Sequence, residues 1–136
     1  MDRLLIVVLV VIVAAAIAWV AQRRRVEAPT RTGHVVPDHL DRADFTRPDA
    51  PWLVAVFSSA TCVTCADTWE KARHLESADV AVQEVEVTAA ADLHRRYGID
   101  AVPLVVIVDH EGARRASFLG PPKTAELWAA LADLRG

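Results

Sequence analysis

The chain has 136 residues and a formal net charge of −3 at pH 7, and most of its acidic residues follow Arg25. This length limits it to one small folded domain. The acidic balance argues against nucleic acid as a partner, because a nucleic-acid-binding face needs a surplus of Lys and Arg.

The first segment of the chain is apolar. Leu4–Ala21 contains 18 residues without a charge, which span about 27 Å as a helix at about 1.5 Å per residue. A cleavable signal peptide is the alternative, and an Ala-Ile-Ala stretch at 16–18 offers a small-residue cleavage site. The apolar run exceeds the usual length of about 7 to 15 residues in such a peptide. We therefore predict an uncleaved transmembrane helix over 4–21, preceded by a short tail at 1–3.

Three consecutive arginines follow this helix: Arg23, Arg24 and Arg25. At the other end only Arg3 and the amino terminus are basic, and Asp2 offsets them. Because basic flanks stay on the cytoplasmic side, we predict a single-pass membrane protein with its domain in the cytoplasm. An extracytoplasmic domain is the alternative.

Residues 22–50 form a basic flank and a linker with scattered prolines and no sustained periodicity. Leu40 and Phe45 are apolar residues that can anchor part of this linker on the domain, through a helical turn or an edge strand. The domain itself is expected at 51–136.

The domain alternates strands with helices. Trp52–Phe57 is a continuous apolar run, which is typical of a strand buried on both faces. The later elements are a helix over Cys62–Glu76, a strand over Val80–Val87, a helix over Ala89–Tyr97, strands over Leu104–Val108 and Ala113–Leu119, and a helix over Thr124–Leu134. This order predicts an α/β fold.

The two cysteines of the chain, Cys62 and Cys65, stand three residues apart just after the first strand. At a helix N-terminus, free N–H groups and the helix dipole stabilise a thiolate and lower a cysteine pKa from about 8.5 to roughly 3.5 to 7.5. A disulfide that closes so short a loop stabilises the fold little through chain entropy. We predict a redox-active pair in which Cys62 is the nucleophile and Cys65 the resolving thiol.

The order of elements, with a CxxC pair after the first strand and a proline opening the third, resembles the thioredoxin family over residues 52–136. Tyr97–Pro103 looks like the family's Tyr-Gly-Ile-x-x-x-Pro segment, and Gly120 matches the glycine that closes its hairpin. The resemblance implies a thioredoxin fold, with a central mixed sheet flanked by helices. It also implies thiol-disulfide exchange with protein thiols or disulfides, including those of an unidentified redox partner protein, without a cofactor.

The resemblance further implies which residues contact the substrate. The Val102-Pro103 bond should be cis, and the backbone of Val102 should hold an extended substrate strand. Thr61 and Gly120 should lie around the same site. Thr61 replaces the tryptophan that often precedes the first cysteine in the family, so the apolar platform there should be smaller.

The family's buried acid, which is thought to help deprotonate the resolving cysteine, is replaced here by Val56. On the neighbouring strand, Glu84 stands where many thioredoxins have a lysine. One hypothesis is that Glu84 has become the proton acceptor of Cys65 through water. The alternative, which the strand alternation favours, is that Glu84 and Glu86 line a solvated face.

Two other functions could explain a CxxC pair. A structural zinc site usually needs four ligands, and His74 and His94 lack metal-ligand spacing to the cysteines, so we predict no metal site and interpret both as surface histidines. The alternative function is a thioredoxin-fold binding, redox-sensing or client-assembly module with little catalytic turnover.

Overall fold

The computed structural model describes residues 2–23 and 34–136. Its first element is a 22-residue helix, α1, Asp2–Arg23. The part of this helix from Asp2 to Val20 is long and apolar enough to cross a membrane, a test that an N-terminal signal sequence also passes. Arg24 and Arg25, two of the three arginines used to predict the orientation, lie outside the described residues.

The predicted order of strands and helices is confirmed within residues 34–136. The elements are β1 Trp52–Ser58, α2 Val63–Arg73, β2 Val80–Glu86, α3 Ala91–Arg96, β3 Leu104–Val108, β4 Arg114–Leu119 and α4 Thr124–Arg135. The largest difference from the predicted bounds is that α2 ends three residues before Glu76. There the chain leaves the helix through tighter turns, in which the Leu75 N–H bonds the carbonyl of Ala72 at 2.9 Å.

The described strands form one mixed sheet in the order β2-β1-β3-β4. Strand β1 runs parallel to β2 and antiparallel to β3, and β3 runs antiparallel to β4. The two central strands are buried on both faces, which explains their continuous apolar sequences. The parallel register sets Val56 opposite Glu84 and Ser58 opposite Glu86.

Apolar side chains cover both faces of the sheet. One core contains Leu53, Phe57 and Leu104, with Leu93 of α3 packed against it. The opposite core contains Val54, Val56, Val80 and Val82 together with Ala72 of α2 and Leu127 of α4. Because side chains alternate along a strand, Ser58, Glu84 and Glu86 continue the face that α2 covers.

The segment before β1 packs on the domain. Leu40 is fully buried, Phe45 is nearly so, and a 3-10 turn runs over Arg42–Asp44 between them. His39 also forms an isolated antiparallel bridge with Ala113. The packed unit therefore begins before residue 51, and both predicted anchors take part in it.

A buried arginine fastens this segment. The guanidinium of Arg42 donates to the carbonyls of Ala50 at 2.7 Å, Arg47 at 3.0 Å and Asp109 at 3.2 Å. Burial lowers the pKa of Arg42, against the raising effect of Asp109 and Asp49. One side chain thus joins the segment before β1 to the turn after β3.

The prediction that His94 lies on the surface is wrong. His94 is buried, its Nε2 lies 2.7 Å from the carbonyl oxygen of Val85, and its ring meets that of Phe57 edge-on at 5.4 Å. Since a carbonyl oxygen only accepts, Nε2 carries the proton in this contact. His74, in contrast, is exposed, as predicted.

Candidate active site

Cys62 and Cys65 form a disulfide at the N-terminus of α2, with their Cα atoms 5.2 Å apart. Cys62 is the N-cap residue and has an extended backbone, and its Sγ accepts the backbone N–H of Cys65 at 3.2 Å. The N-cap position arises because β1 ends at Ser58 and a turn follows, closed by the Cys62 N–H and the carbonyl of Ser59 at 3.1 Å. The first sulfur therefore sits where helix N–H groups favour negative charge.

The two sulfurs differ in accessibility. Cys62 is half-buried, whereas Cys65 is only 1% exposed. The Sγ of Cys62 also lies 3.4 Å from the hydroxyl of Thr64. Val63, between the cysteines, is 86% exposed. Another molecule can reach the outer sulfur and an apolar side chain beside it, while the inner sulfur is protected.

The Val102-Pro103 peptide bond is cis. Pro103 is buried and Val102 half-buried, and the carbonyl of Pro103 accepts the N–H of Gly120 at 2.9 Å. Gly120 has a φ of 92°, a left-handed conformation that glycine adopts readily. Because Leu104 pairs with Phe57, Pro103 lies at the end of the sheet where β1 leads toward Cys62.

A cleft of about 140 Å³ adjoins the disulfide, and we call it the cysteine cleft. It is lined by Ser58, Ser59, Ala60, Cys62, Cys65, Ala66, Glu84 and Glu86. It therefore brings Glu84 together with both cysteines. Thr61, Val102, Pro103 and Gly120 are not part of its lining.

Glu86 is held by the backbone. Its carboxylate accepts the N–H groups of Ala89 at 2.8 Å, Thr88 at 2.9 Å and Ala60 at 3.2 Å. These bonds, the one from Ala89 foremost, lower the pKa of Glu86. A fixed negative charge thus links the turn before Cys62 to the turn after β2. Sequence reasoning missed this role, because Ala60 is 26 residues away in the chain.

Glu84 is in the opposite electrostatic situation. Burial by the walls of the cleft, followed by the charge of Glu86, raises its pKa. Its side chain is nevertheless exposed, so water reaches the carboxylate. The interpretation of Glu84 as a solvated residue is right about its exposure, but the same carboxylate lines the cleft that Cys65 lines.

The domain is similar in structure to known proteins. No protein-family model matches the chain, and no curated protein matches its sequence. Among solved structures, a mutant thioredoxin from Halobacterium salinarum NRC-1 is similar at 22% identity and a TM-score of 0.58, over 65% of this chain and 79% of that one. The germline-specific thioredoxin Deadhead from Drosophila melanogaster is 24% identical, with a TM-score of 0.55 over 64% of this chain and 84% of that one.

The oxidised mitochondrial thioredoxin 3 of Saccharomyces cerevisiae is a third similar structure, with 21% identity and a TM-score of 0.54 over 64% of this chain and 82% of that one. These alignments cover most of each thioredoxin. The chain also has the mixed sheet described above and a cysteine pair at the turn after its first strand. The domain has the thioredoxin fold.

Within this thioredoxin fold, the two carboxylates that line the cysteine cleft both come from β2, whereas the resemblance implies an acid on β1. Val56 is fully buried and supplies no proton acceptor. Glu84 stands directly opposite it on β2 and lines the cysteine cleft. Among the described residues, no three His, Cys, Asp or Glu side chains cluster closely enough to hold a metal ion.

Proposed function

We propose that this chain is a membrane-tethered thiol-disulfide oxidoreductase that acts on protein thiols or disulfides through Cys62 and Cys65. The observation that carries the proposal is the unequal pair of sulfurs at the N-terminus of α2, one reachable and N-capping, the other 1% exposed. A disulfide with no exchange function needs neither a reachable sulfur nor a thiolate-stabilising position. The thioredoxin fold supports the same conclusion by analogy.

The exchange proceeds in two steps. In the reduced chain, the thiolate of Cys62 attacks one sulfur of a substrate disulfide, forms a mixed disulfide and expels the first substrate thiolate. Cys65 then loses its proton and attacks the Sγ of Cys62, forming the Cys62–Cys65 disulfide and expelling the second substrate thiolate. Two electrons pass to the substrate, and two protons complete its thiols. The same steps in reverse oxidise a substrate dithiol.

Glu84 is the proton acceptor for Cys65 in this scheme. Three facts support it: it lines the same cleft as Cys65, its pKa is raised toward neutrality, and it is open to water. A general base works best when its pKa lies near the working pH. Glu86 is less suited, because its carboxylate already accepts three backbone N–H groups.

The substrate-binding residues are Thr61, Val102, Pro103 and Gly120. Thr61 is exposed directly before Cys62, and Val102 is half-buried at the end of the sheet toward which Cys62 lies. Gly120 donates its N–H to the carbonyl of Pro103, and the backbone of Val102 would pair with an extended substrate segment. A protein partner with an exposed, extended cysteine segment fits this arrangement.

The N-terminal helix would tether the enzyme to a membrane. Its length and apolar composition support a single span, and the arginines at 23–25 favour a cytoplasmic domain. We propose this orientation together with the activity.

Trapping of mixed disulfides tests the proposed function. A Cys65→Ser variant of the full chain should accumulate disulfide-linked protein adducts on Cys62, because the resolving thiol is gone. The matched Cys62→Ser variant should accumulate none. Equal and negligible adducts in both variants would instead identify a binding module with inert cysteines.

A further inference from the structure

The cysteine cleft contains a buried hydroxyl that the exchange scheme does not use. Ser58 is only 3% exposed, and its Oγ has no hydrogen-bond partner among the described residues. Buried side-chain hydroxyls nearly always have a partner, because an unsatisfied one loses its hydration without compensation. Since Ser58 lines the cleft, its partner should be found there.

The cleft is large and polar enough to supply that partner as water. Its volume is about 140 Å³, whereas one water needs only about 10 to 15 Å³ on this measure and two to four polar contacts. The sheet register places polar side chains together for such water. Ser58 stands opposite Glu86, and Glu84 stands opposite Val56 on the same face, the one that α2 covers.

The titratable groups at the cleft come from two elements. Helix α2 and its cap contribute Cys65 and Cys62, β2 contributes Glu84 and Glu86, and β1 contributes none. The carboxylate of Glu86 is occupied by backbone N–H groups. Ser59 also lines the cleft, but its hydroxyl lies 3.1 Å from that of Thr61. Ser58 and Glu84 therefore remain to hold water in the cleft that Cys65 lines.

We propose that the hydroxyl of Ser58 and the carboxylate of Glu84 together hold water in the cysteine cleft, and that this water carries the proton between Glu84 and Cys65. The inference rests on the proposed function and adds Ser58 to it as a positioning residue. In the resolving step the Cys65 thiol gives its proton to the water, and the water gives one to Glu84. The Cys65 sulfur then attacks Cys62, and the protonated Glu84 returns its proton through water to the departing substrate thiolate.

A chromogenic aromatic disulfide reagent separates the two steps in the reduced full chain in detergent micelles. The first thiolate released reports attack by Cys62, and the second reports resolution by Cys65. Ser58→Ala should leave the first release unchanged and slow the second by about three- to tenfold at pH 7, the weight of one hydrogen bond. The slowing should diminish as pH rises, because hydroxide then removes the thiol proton without help from Glu84.

Three variants define the mechanism. Ser58→Thr keeps the hydroxyl on a strand-compatible residue and should restore the second release. Ser58→Ala should add almost nothing in a Glu84→Gln background, because both changes break the same path. Ser117, a buried serine on β4, provides the control. Ser117→Ala should give the wild-type rates of the first and second thiolate release. A second release that is unchanged by Ser58→Ala, or effects of the two changes that multiply, would overturn the inference.

A titration of the reduced chain separates this inference from the proposed function. Carbon NMR can follow the titration of the Glu84 carboxyl. The pH of its titration midpoint should be higher in Ser58→Ala, because the variant loses a water-mediated hydrogen-bond donor to the ionised carboxylate. An unmoved midpoint overturns the role of Ser58 whether or not the chain exchanges disulfides. Absence of the first thiolate release, in contrast, contradicts the proposed function itself.

Discussion

Two carboxylates on one strand face, Glu84 and Glu86, differ because of what surrounds them. Glu86 meets three N–H donors and its pKa falls. Glu84 meets the cleft walls and the charge of Glu86, and its pKa rises. Such a separation is how one site obtains a permanently charged group and a group that exchanges protons.

Replacing Glu84 with Gln should stabilise the fold at pH 7 while it slows the resolving step. A carboxyl whose pKa is raised by folding binds more protons folded than unfolded, so it lowers stability as pH rises through its unfolded and folded pKa values. The stabilisation by Glu84→Gln should therefore be seen near neutrality and disappear in acid. Thermal unfolding across pH 3 to 8 measures it, with Glu86→Gln as the matched change. Glu86→Gln should destabilise, and a lower Tm for Glu84→Gln at pH 7 would refute the assignment.

Some properties of individual residues could be predicted from the sequence and others could not. The positions of Cys62 and Cys65 at a helix start follow from the apolar run before them and the helix-compatible residues after them. The burial of His94 does not follow, because its partner is a backbone carbonyl and its ring neighbour Phe57 is 37 positions away. The unpartnered hydroxyl of Ser58 is equally hidden, since it depends on the register of two strands.

Among the elements, the segment before β1 is held by the end of α3. Tyr97 donates its hydroxyl to Asp44 at 2.5 Å and accepts the N–H of Asp41 at 3.0 Å. Burial, and then the bond to Asp44, raise the pKa of Tyr97 to about 12, so it remains a donor through the neutral range. Arg96 adds ion pairs to the same two aspartates.

Tyr97→Phe should loosen this segment. Loss of the hydroxyl removes the acceptor of the Asp41 N–H and a donor to the Asp44 carboxylate, and we expect a loss of about 1 to 3 kcal/mol in the free energy of unfolding. Faster hydrogen exchange at the Asp41 amide should accompany it. Arg96→Gln, which breaks exposed ion pairs, should cost less than about 1 kcal/mol. Wild-type exchange at Asp41 in the Tyr97→Phe variant would contradict this role.

The turn between β3 and β4 depends on one buried acid. Asp109 accepts the N–H groups of Glu111 at 2.9 Å and Ala113 at 3.1 Å, and the Nε of Arg115 at 2.9 Å. Burial alone would raise its pKa, but Arg115 and the backbone donors outweigh burial, so the pKa is lowered. Its stabilising contribution is therefore present above the unfolded pKa and is lost as pH falls through the folded one.

Asp109→Asn should cost about 2 to 4 kcal/mol at pH 7, because it removes charged acceptors from a buried site. The difference from wild type should shrink below about pH 4, the ordinary range of an aspartate pKa. Chemical denaturation at pH 7 and pH 3 measures both. The exposed Asp92 provides the control, since Asp92→Asn should change stability by less than about 0.5 kcal/mol. A deficit that is equal at the two pH values would show that the charge is unimportant.

At the scale of the whole molecule, sequence patterns predicted the fold but not the cleft. Strand order, helix positions and the placement of Pro103 follow from apolar runs, breaks and the thioredoxin resemblance. For the segment before position 51, the sequence left both a helical turn and an edge strand open, because Leu40 and Phe45 lie among prolines and charges. The cysteine cleft required the three-dimensional pairing of β1 with β2, which brings Ser58 and Glu84 beside Cys65.

The side of the membrane on which the domain lies can be tested by thiol labelling. If the arginines at 23–25 keep the domain in the cytoplasm, a membrane-impermeant thiol reagent should label reduced Cys62 only after cells are permeabilised. A Cys62→Ser/Cys65→Ser double variant controls for background. Labelling of intact cells would place the domain outside and reverse the orientation, while leaving the proposed chemistry of the two cysteines unaffected.

The rate at which Cys62 and Cys65 reduce a protein disulfide is the decisive test of the proposed activity. The reduced full chain in micelles is mixed with a disulfide-containing protein at pH 7, and thiol release is followed. We expect reduction well above that by a free dithiol at equal concentration, with formation of the Cys62–Cys65 disulfide and no acceleration by the Cys62→Ser variant. A wild-type rate equal to that of Cys62→Ser would contradict it.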